Sequence, residues 1–223
     1  MINLPNWKNV LTDLEPTHTQ LIAVSKTKPV ADIQAFYDAG QRVFGENKVQ
    51  EMTEKYEQLP KDIAWHLIGH LQTNKVKYIA PFVYLIHSVD SLKLLQEIQK
   101  QAVKAGRTID VLLQVYIAEE DTKFGLDEAE LKALLDVYTV QPEHFAQVRV
   151  VGLMGMATNT DDEMQIRKEF RSLKTLFDQV QSIYFADEPA FKEISMGMSS
   201  DYRIAAEEGS TMVRVGSLLF GSR

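Results

Sequence analysis

The chain has no cysteine. That excludes disulfides, thiolate metal sites and a cysteine nucleophile. It also lacks any block of basic residues: 24 Lys and Arg face 31 Asp and Glu, a net charge of −7. A nucleic-acid binder needs a basic face that displaces counterions from phosphates. No apolar run reaches the ~18 residues of a membrane span. The opening residues, MINLPNWKNVLTDLEP, contain no basic segment followed by an apolar one, so no signal peptide is expected. These absences lead to the expectation of a cytoplasmic protein with neither nucleic acid nor membrane as partner. No apolar stripe is left over as an interface, so a monomer is expected.

What is present is alternation. Short apolar runs stand at 21–25, 42–46, 63–69, 83–87, 110–117, 148–155, 193–197 and 212–216. Helical patterns lie between them. Val49, Met52, Tyr56 and Leu59 form one apolar stripe, and Leu92, Leu95, Ile98 and Ala102 another, with Asp90 as N-cap and Gly106 just past the end. Leu126 to Leu131 reads as a capping box with a hydrophobic staple. Ile166, Phe170, Leu173, Phe177 and Val180 keep the helical period. Eight strands alternating with helices imply an α/β fold, a single (β/α)8 TIM-type barrel over residues 1–223, with a doubly wound open sheet as the rival. Several strands are nearly continuous apolar runs, as expected of a parallel sheet covered on both faces.

In a barrel the site lies at the C-terminal strand ends. Lys26 sits at such an end, in LIAVSKTKPV. With a period of two, Ile22, Val24 and Lys26 share one side of the strand. An ordinary lysine there would simply reach into water. A lysine that continues an inward apolar row is instead partly desolvated, which favours the neutral amine that attacks carbonyls. Lys28, just before Pro29, is the competing lysine and is expected in solvent.

A second informative stretch is ISMGMSSDYRIAAEEGSTMVRVGSLLFGS, 194–222. Ser199 or Ser200 is expected to cap a helix running to Gly209, whose first N–H groups would hold an anion. Capping alone also accounts for both serines. Glycines and serines after strands seven and eight, Gly216 and Ser217 among them, lie where many (β/α)8 barrels bind phosphate. Asp201 suits a helix start but repels phosphate, so its carboxylate is expected to turn away. Arg214, inside the apolar run Met212–Val215, is either ion-paired within the barrel or aimed at a ligand.

Six segments in order, AVSKTKP, FGENKVQE, WHLIGHLQTNK, GLMGM, SMGMSSD and GSTMVRVGSLLFG, resemble the pyridoxal phosphate homeostasis proteins, whose barrel is similar to the N-terminal domain of alanine racemase. The resemblance implies pyridoxal 5′-phosphate (PLP) as cofactor, held as an aldimine on Lys26. It implies Ser199, Gly216 and Ser217 at the phosphate, with Ser200 beside them, and Arg214 facing the pyridine nitrogen. Asn47 and His66 fall in family motifs beside the cofactor pocket. A lysine of ordinary pKa, about 10.4, is neutral in about one molecule in a few thousand at pH 7; burial and Arg214 are both expected to lower it.

An arginine at the pyridine nitrogen cannot accept that atom's proton, which leaves the ring a weaker electron sink. The sequence stops two residues after Gly221, so no second, tyrosine-bearing domain of a racemase is expected. The implied function is therefore PLP homeostasis, holding the cofactor and delivering it to PLP-dependent apoenzymes, with no catalytic residue and no metal ligand assigned. The alternatives are a racemase-like enzyme acting on amino acids, with a barrel tyrosine such as Tyr116 as its second base, and an aldolase using Lys26 on phosphorylated sugars. Lys123, in a strand-end loop, is either a solvated lysine or an aid to PLP transfer.

Overall fold

The structure is a computed structural model that describes residues 2–119 and 124–221. Eight parallel strands close into a barrel: β1 Gln20–Val24, β2 Val43–Glu46, β3 Ala64–Leu67, β4 Leu85–Val89, β5 Ile109–Gln114, β6 Val148–Met154, β7 Glu193–Ser195 and β8 Met212–Val215. Each strand pairs with the next, and β8 returns to β1 with Ile22 opposite Arg214. Closure removes the open-sheet alternative. All eight apolar runs are strands, shorter than expected at several C-terminal ends. Beyond Gln114 the returning backbone at Leu126 takes over the pairing, exchanging bonds with Gln114 and Tyr116.

The helices in chain order are α1 Leu4–Leu14, α2 Val30–Asp38, α3 Val49–Gln58, α4 Val76–Ile79, α5 Leu92–Ala105, α6 Glu128–Val140, α7 Glu163–Tyr184, α8 Tyr202–Glu207 and α9 Ser217–Phe220. Two apolar layers explain why the strands read as continuous apolar runs. Outward residues such as Leu21, Ala23, Phe44, Trp65 and Leu67 join the helices in the main core. Inward residues Ile22, Leu85, Leu112, Val151, Met154 and Met212 form a separate interior cluster.

The α7 stripe is buried as expected, from Ile166 to Val180. Asp127 and Glu130 form the reciprocal capping box of α6, between the buried pair Leu126 and Leu131. Asp90 does not cap α5. Ser91 takes that place, its Oγ accepting the Leu94 N–H at 3.3 Å, while Asp90 lies 3.4 Å from the exposed His70 ring. Gly106 ends α5 with φ +65°, which a side chain would strain. On α3, Lys55 is buried beside Val49 and Met52. Among the described residues, no helix is long and apolar enough to cross a membrane.

Candidate functional site

The C-terminal strand ends surround a cavity of about 490 Å³. Lys26, Asn47, Ser199, Ser200, Arg214, Gly216 and Ser217 all line it, together with an apolar wall of Val24, Ile68, Met156 and Met198. Residues far apart in sequence thus converge because barrel closure brings the C-terminal ends of β1, β2, β3, β6, β7 and β8 to one mouth.

Lys26 is half-buried in the turn that follows β1. The Lys28 N–H closes that turn on the Ser25 carbonyl at 3.0 Å, and Thr27 has φ +64°. Lys28 is not a solvated lysine. Its Nζ donates to the carbonyls of Phe220 at 2.9 Å and Gly221 at 3.2 Å, at the end of α9.

Asn47 follows β2. Its backbone lies so close to Gly69 that a Cβ there would fall 2.3 Å from the Asn47 carbonyl oxygen. Glycine is therefore required by close approach. The Asn47 Oδ1 is buried and has no partner among the described residues.

At the opposite side of the mouth, neither Ser199 nor Ser200 caps α8. Asp201 is the N-cap residue, and its Oδ1 accepts the Met198 N–H at 2.5 Å, just before the helix starts. Ser199 instead accepts the Gly216 N–H at 3.1 Å, which ties the β7 and β8 loops together. Ser217 and Leu218 open α9, where the first amides have no intrahelical acceptor.

Arg214 is 4% exposed. Its guanidinium donates to Ser195 Oγ at 2.6 Å and to the Gly155 carbonyl at 3.1 Å. Both of these partners are neutral. Burial lowers its pKa to about 10, with the Asp201 charge opposing; it stays charged at neutral pH.

Behind Arg214 runs a buried polar chain. Ser195 Oγ lies 2.9 Å from His87 Nδ1, and His87 Nε2 lies 2.9 Å from His66 Nδ1. A guanidinium can only donate. Ser195 therefore passes its own proton towards His87 Nδ1, and His87 donates from Nε2 to His66. Both rings are then neutral with hydrogen on Nε2. Burial lowers the His66 pKa to about 3. Burial, the His66 ring and Arg214 hold His87 well below the usual histidine range. His66 does not line the cavity. It sits inside the barrel, stacked on Tyr84 with ring centroids 5.4 Å apart, and its Nε2 has no partner among the described residues. Strand parity explains this: Trp65 and Leu67 face the helices, so His66 faces inward, below the mouth.

Ser195, His87, Met156, Met198 and Ile68 were not singled out from sequence. Ser195, Met156 and Met198 stand in the motifs quoted above, but no spacing rule connects them to Arg214. Tyr116 is not among the residues lining the cavity. Lys123 lies outside the described residues.

Residues 4–223 match the family model for the N-terminal domain of alanine racemase. The pyridoxal phosphate homeostasis protein of Aquifex aeolicus (strain VF5) is 45% identical over 205 residues, 92% of this chain and 87% of its own. The chain belongs to the pyridoxal phosphate homeostasis protein family. PipY of Synechococcus elongatus PCC7942, 37% identical, covers 97% of this chain and 99% of its own, with TM-scores of 0.89 in its form without PLP and 0.86 with PLP bound. Alanine racemase from Bartonella henselae, with covalently bound pyridoxal phosphate, is 18% identical with a TM-score of 0.74; 96% of this chain matches 56% of it. That level of identity extends to the barrel of this family and not to its chemistry.

Proposed function

We propose that this protein binds PLP in the mouth cavity, holds it through Lys26 and hands it on to apoenzymes rather than turning over a substrate. The observation that carries the reading is convergence: one amine, one buried arginine and a serine- and glycine-lined end share one cavity. Its volume lies within the range of ~300–1,000 Å³ typical of small-ligand sites. The unpartnered Asn47 Oδ1 supports a polar ligand there.

When bound, PLP supplies an aldehyde for a primary amine and a ring that takes up negative charge. Ser199, Ser200, Gly216 and Ser217, with the first amides of α9, suit the phosphate. Lys26 presents its amine from the β1 turn. The apolar wall of Val24, Ile68, Met156 and Met198 suits the ring faces and excludes water. Arg214 is locked as a donor by Ser195 and by its charge, so it cannot take a proton from the ring nitrogen. A ring kept unprotonated favours holding over varied carbanion chemistry. Racemisation is not proposed, because the likeness to racemases is one of fold. The reading treats residues 1–223 as one domain, acting as a monomer in the cytoplasm.

The test is a visible spectrum of the protein with PLP, beside Lys26→Ala, followed by borohydride reduction and peptide mapping. Binding with a pyridoxyl group on Lys26, lost in the variant, supports the proposal. A protein that takes up no PLP overturns it and returns Lys26 to an aldolase-type amine. Turnover of L- or D-amino acids would overturn the holding role while keeping the cofactor.

A further inference from the structure

The turn that carries Lys26 is held from outside the barrel by a buried ion triad. Lys55 of α3 is 5% exposed, and all three of its ammonium protons are used. They go to the Ser25 carbonyl at 2.8 Å, Glu46 Oε1 at 2.6 Å and Glu51 Oε1 at 2.7 Å. Glu46 also accepts the Ser25 hydroxyl at 2.7 Å. Glu51 also accepts the Thr27 N–H at 2.6 Å. The residues on both sides of Lys26 are thus bonded to the same cluster, while Lys26 lines the cavity.

Stability alone is a poor reason for this arrangement. Buried ion pairs are often no better than well-packed apolar residues. Here Glu46 Oε2 is left buried with no partner among the described residues, and burial raises the Glu46 pKa against the pull of Lys55. Thr27 is a β-branched residue in the left-handed region, a strained choice where glycine would fit. Strain and buried charge persist where surrounding structure over-determines them, commonly beside a functional group.

We propose that Glu51, Lys55 and Glu46 are positioning residues that select Lys26, rather than Lys28, as the lysine presented to the cavity. Lys26 and Lys28 are two residues apart in one exposed-edge turn and carry the same chemistry. The triad pins Ser25 and Thr27, so β1's inward row of Ile22 and Val24 continues into Lys26. Lys28 is drawn the other way, onto the carbonyls of Phe220 and Gly221. A loosened turn would let the two lysines exchange places. The FGENKVQE segment therefore serves Lys26 twice: Asn47 from within the cavity, Glu46 and Glu51 from behind the turn.

The inference rests on the PLP-holding reading, and its test separates the two. Native protein without PLP is labelled sparingly with acetic anhydride, and the ratio of Lys26 to Lys28 modification is read by peptide mapping. The same ratio is then read for the pyridoxyl group after PLP and borohydride. Glu51→Ala removes the Thr27 acceptor at a position where the side chain is 23% exposed. It is expected to shift both ratios at least about fivefold and to weaken PLP binding about tenfold, the equivalent of 1.4 kcal/mol. Glu51→Gln keeps an acceptor oxygen and is expected to stay within about threefold of the parent. Thr27→Pro removes the N–H donor and forbids the positive φ without touching the triad, and it should act like Glu51→Ala. Unchanged ratios in Glu51→Ala and Thr27→Pro overturn the inference, as does an equal loss in Ala and Gln. Failure of the parent protein to bind PLP overturns the holding role alone, since the acetylation ratio still reports on the turn.

Discussion

Lowering the pH from about 7.5 to about 5 probes the neutral His87–His66 chain inside the barrel through its linkage to folding. Both rings are fully buried, and no carboxylate among the described residues pairs with either. His66 titrates near 6.5 when unfolded and near 3 when folded. Between those values the unfolded chain binds the proton and the folded chain does not, so stability falls as pH falls. The slope is about 1.4 kcal/mol per pH unit for each such group. From pH 6.5 to 5, His66 alone costs roughly 2 kcal/mol, and His87, held below the usual histidine range in the same way, adds to the loss in the same direction. Glu46 works in the opposite sense, because its raised folded pKa favours proton uptake by the native state. The His66 loss of roughly 2 kcal/mol is already a large part of the ~5–15 kcal/mol that holds a typical domain together. Urea unfolding at a series of pH values measures it. His66→Asn removes one titrating ring and should reduce the slope. A midpoint that is flat between pH 7.5 and 5, or a slope untouched by that substitution, would refute neutral buried rings.

Two further substitutions test the geometry around the cavity. Ser195→Ala strips a charge-assisted bond from Arg214 and leaves His87 Nδ1 unpaired; a loss of about 3 kcal/mol is expected, seen as a fall in Tm of roughly 6–12 °C. Gly69→Ala drives a Cβ into the Asn47 backbone; it should cost about 1–3 kcal/mol and weaken PLP binding, whereas Gly40→Ala, with nothing within 4 Å of the added carbon, should leave PLP binding as it is.

The barrel was legible because its signal is local. Each strand is a short apolar run bounded by polar residues, and burial on both faces makes those runs continuous. Capping of α6 was legible for the same reason, since Asp127 and Glu130 are three residues apart and bond to each other's backbone. At α5 the cap fell one residue later, to Ser91, whose Oγ reaches the Leu94 N–H, and at α8 Asp201 holds the N-cap position while its side chain takes the Met198 N–H rather than a helix amide; local geometry decides both, and no sequence pattern fixes it.

The sequence by itself determined that Lys26 ends an inward row, because a strand's side chains alternate with a period of two. It also determined the family, through motifs spread from Lys26 to Gly221. Only the tertiary structure decided what those side chains meet. Lys55 is a charged residue that the sequence pattern does not single out, and α3 packs it under the β1 and β2 ends against two carboxylates. His66 reads as a pocket residue, yet it lies three hydrogen bonds behind Arg214. Lys28 reads as solvated, yet α9, nearly two hundred residues later, supplies its acceptors. Alternation along a strand is a property of neighbouring residues. Burial of a charge depends on partners brought in by barrel closure, and no local pattern encodes them.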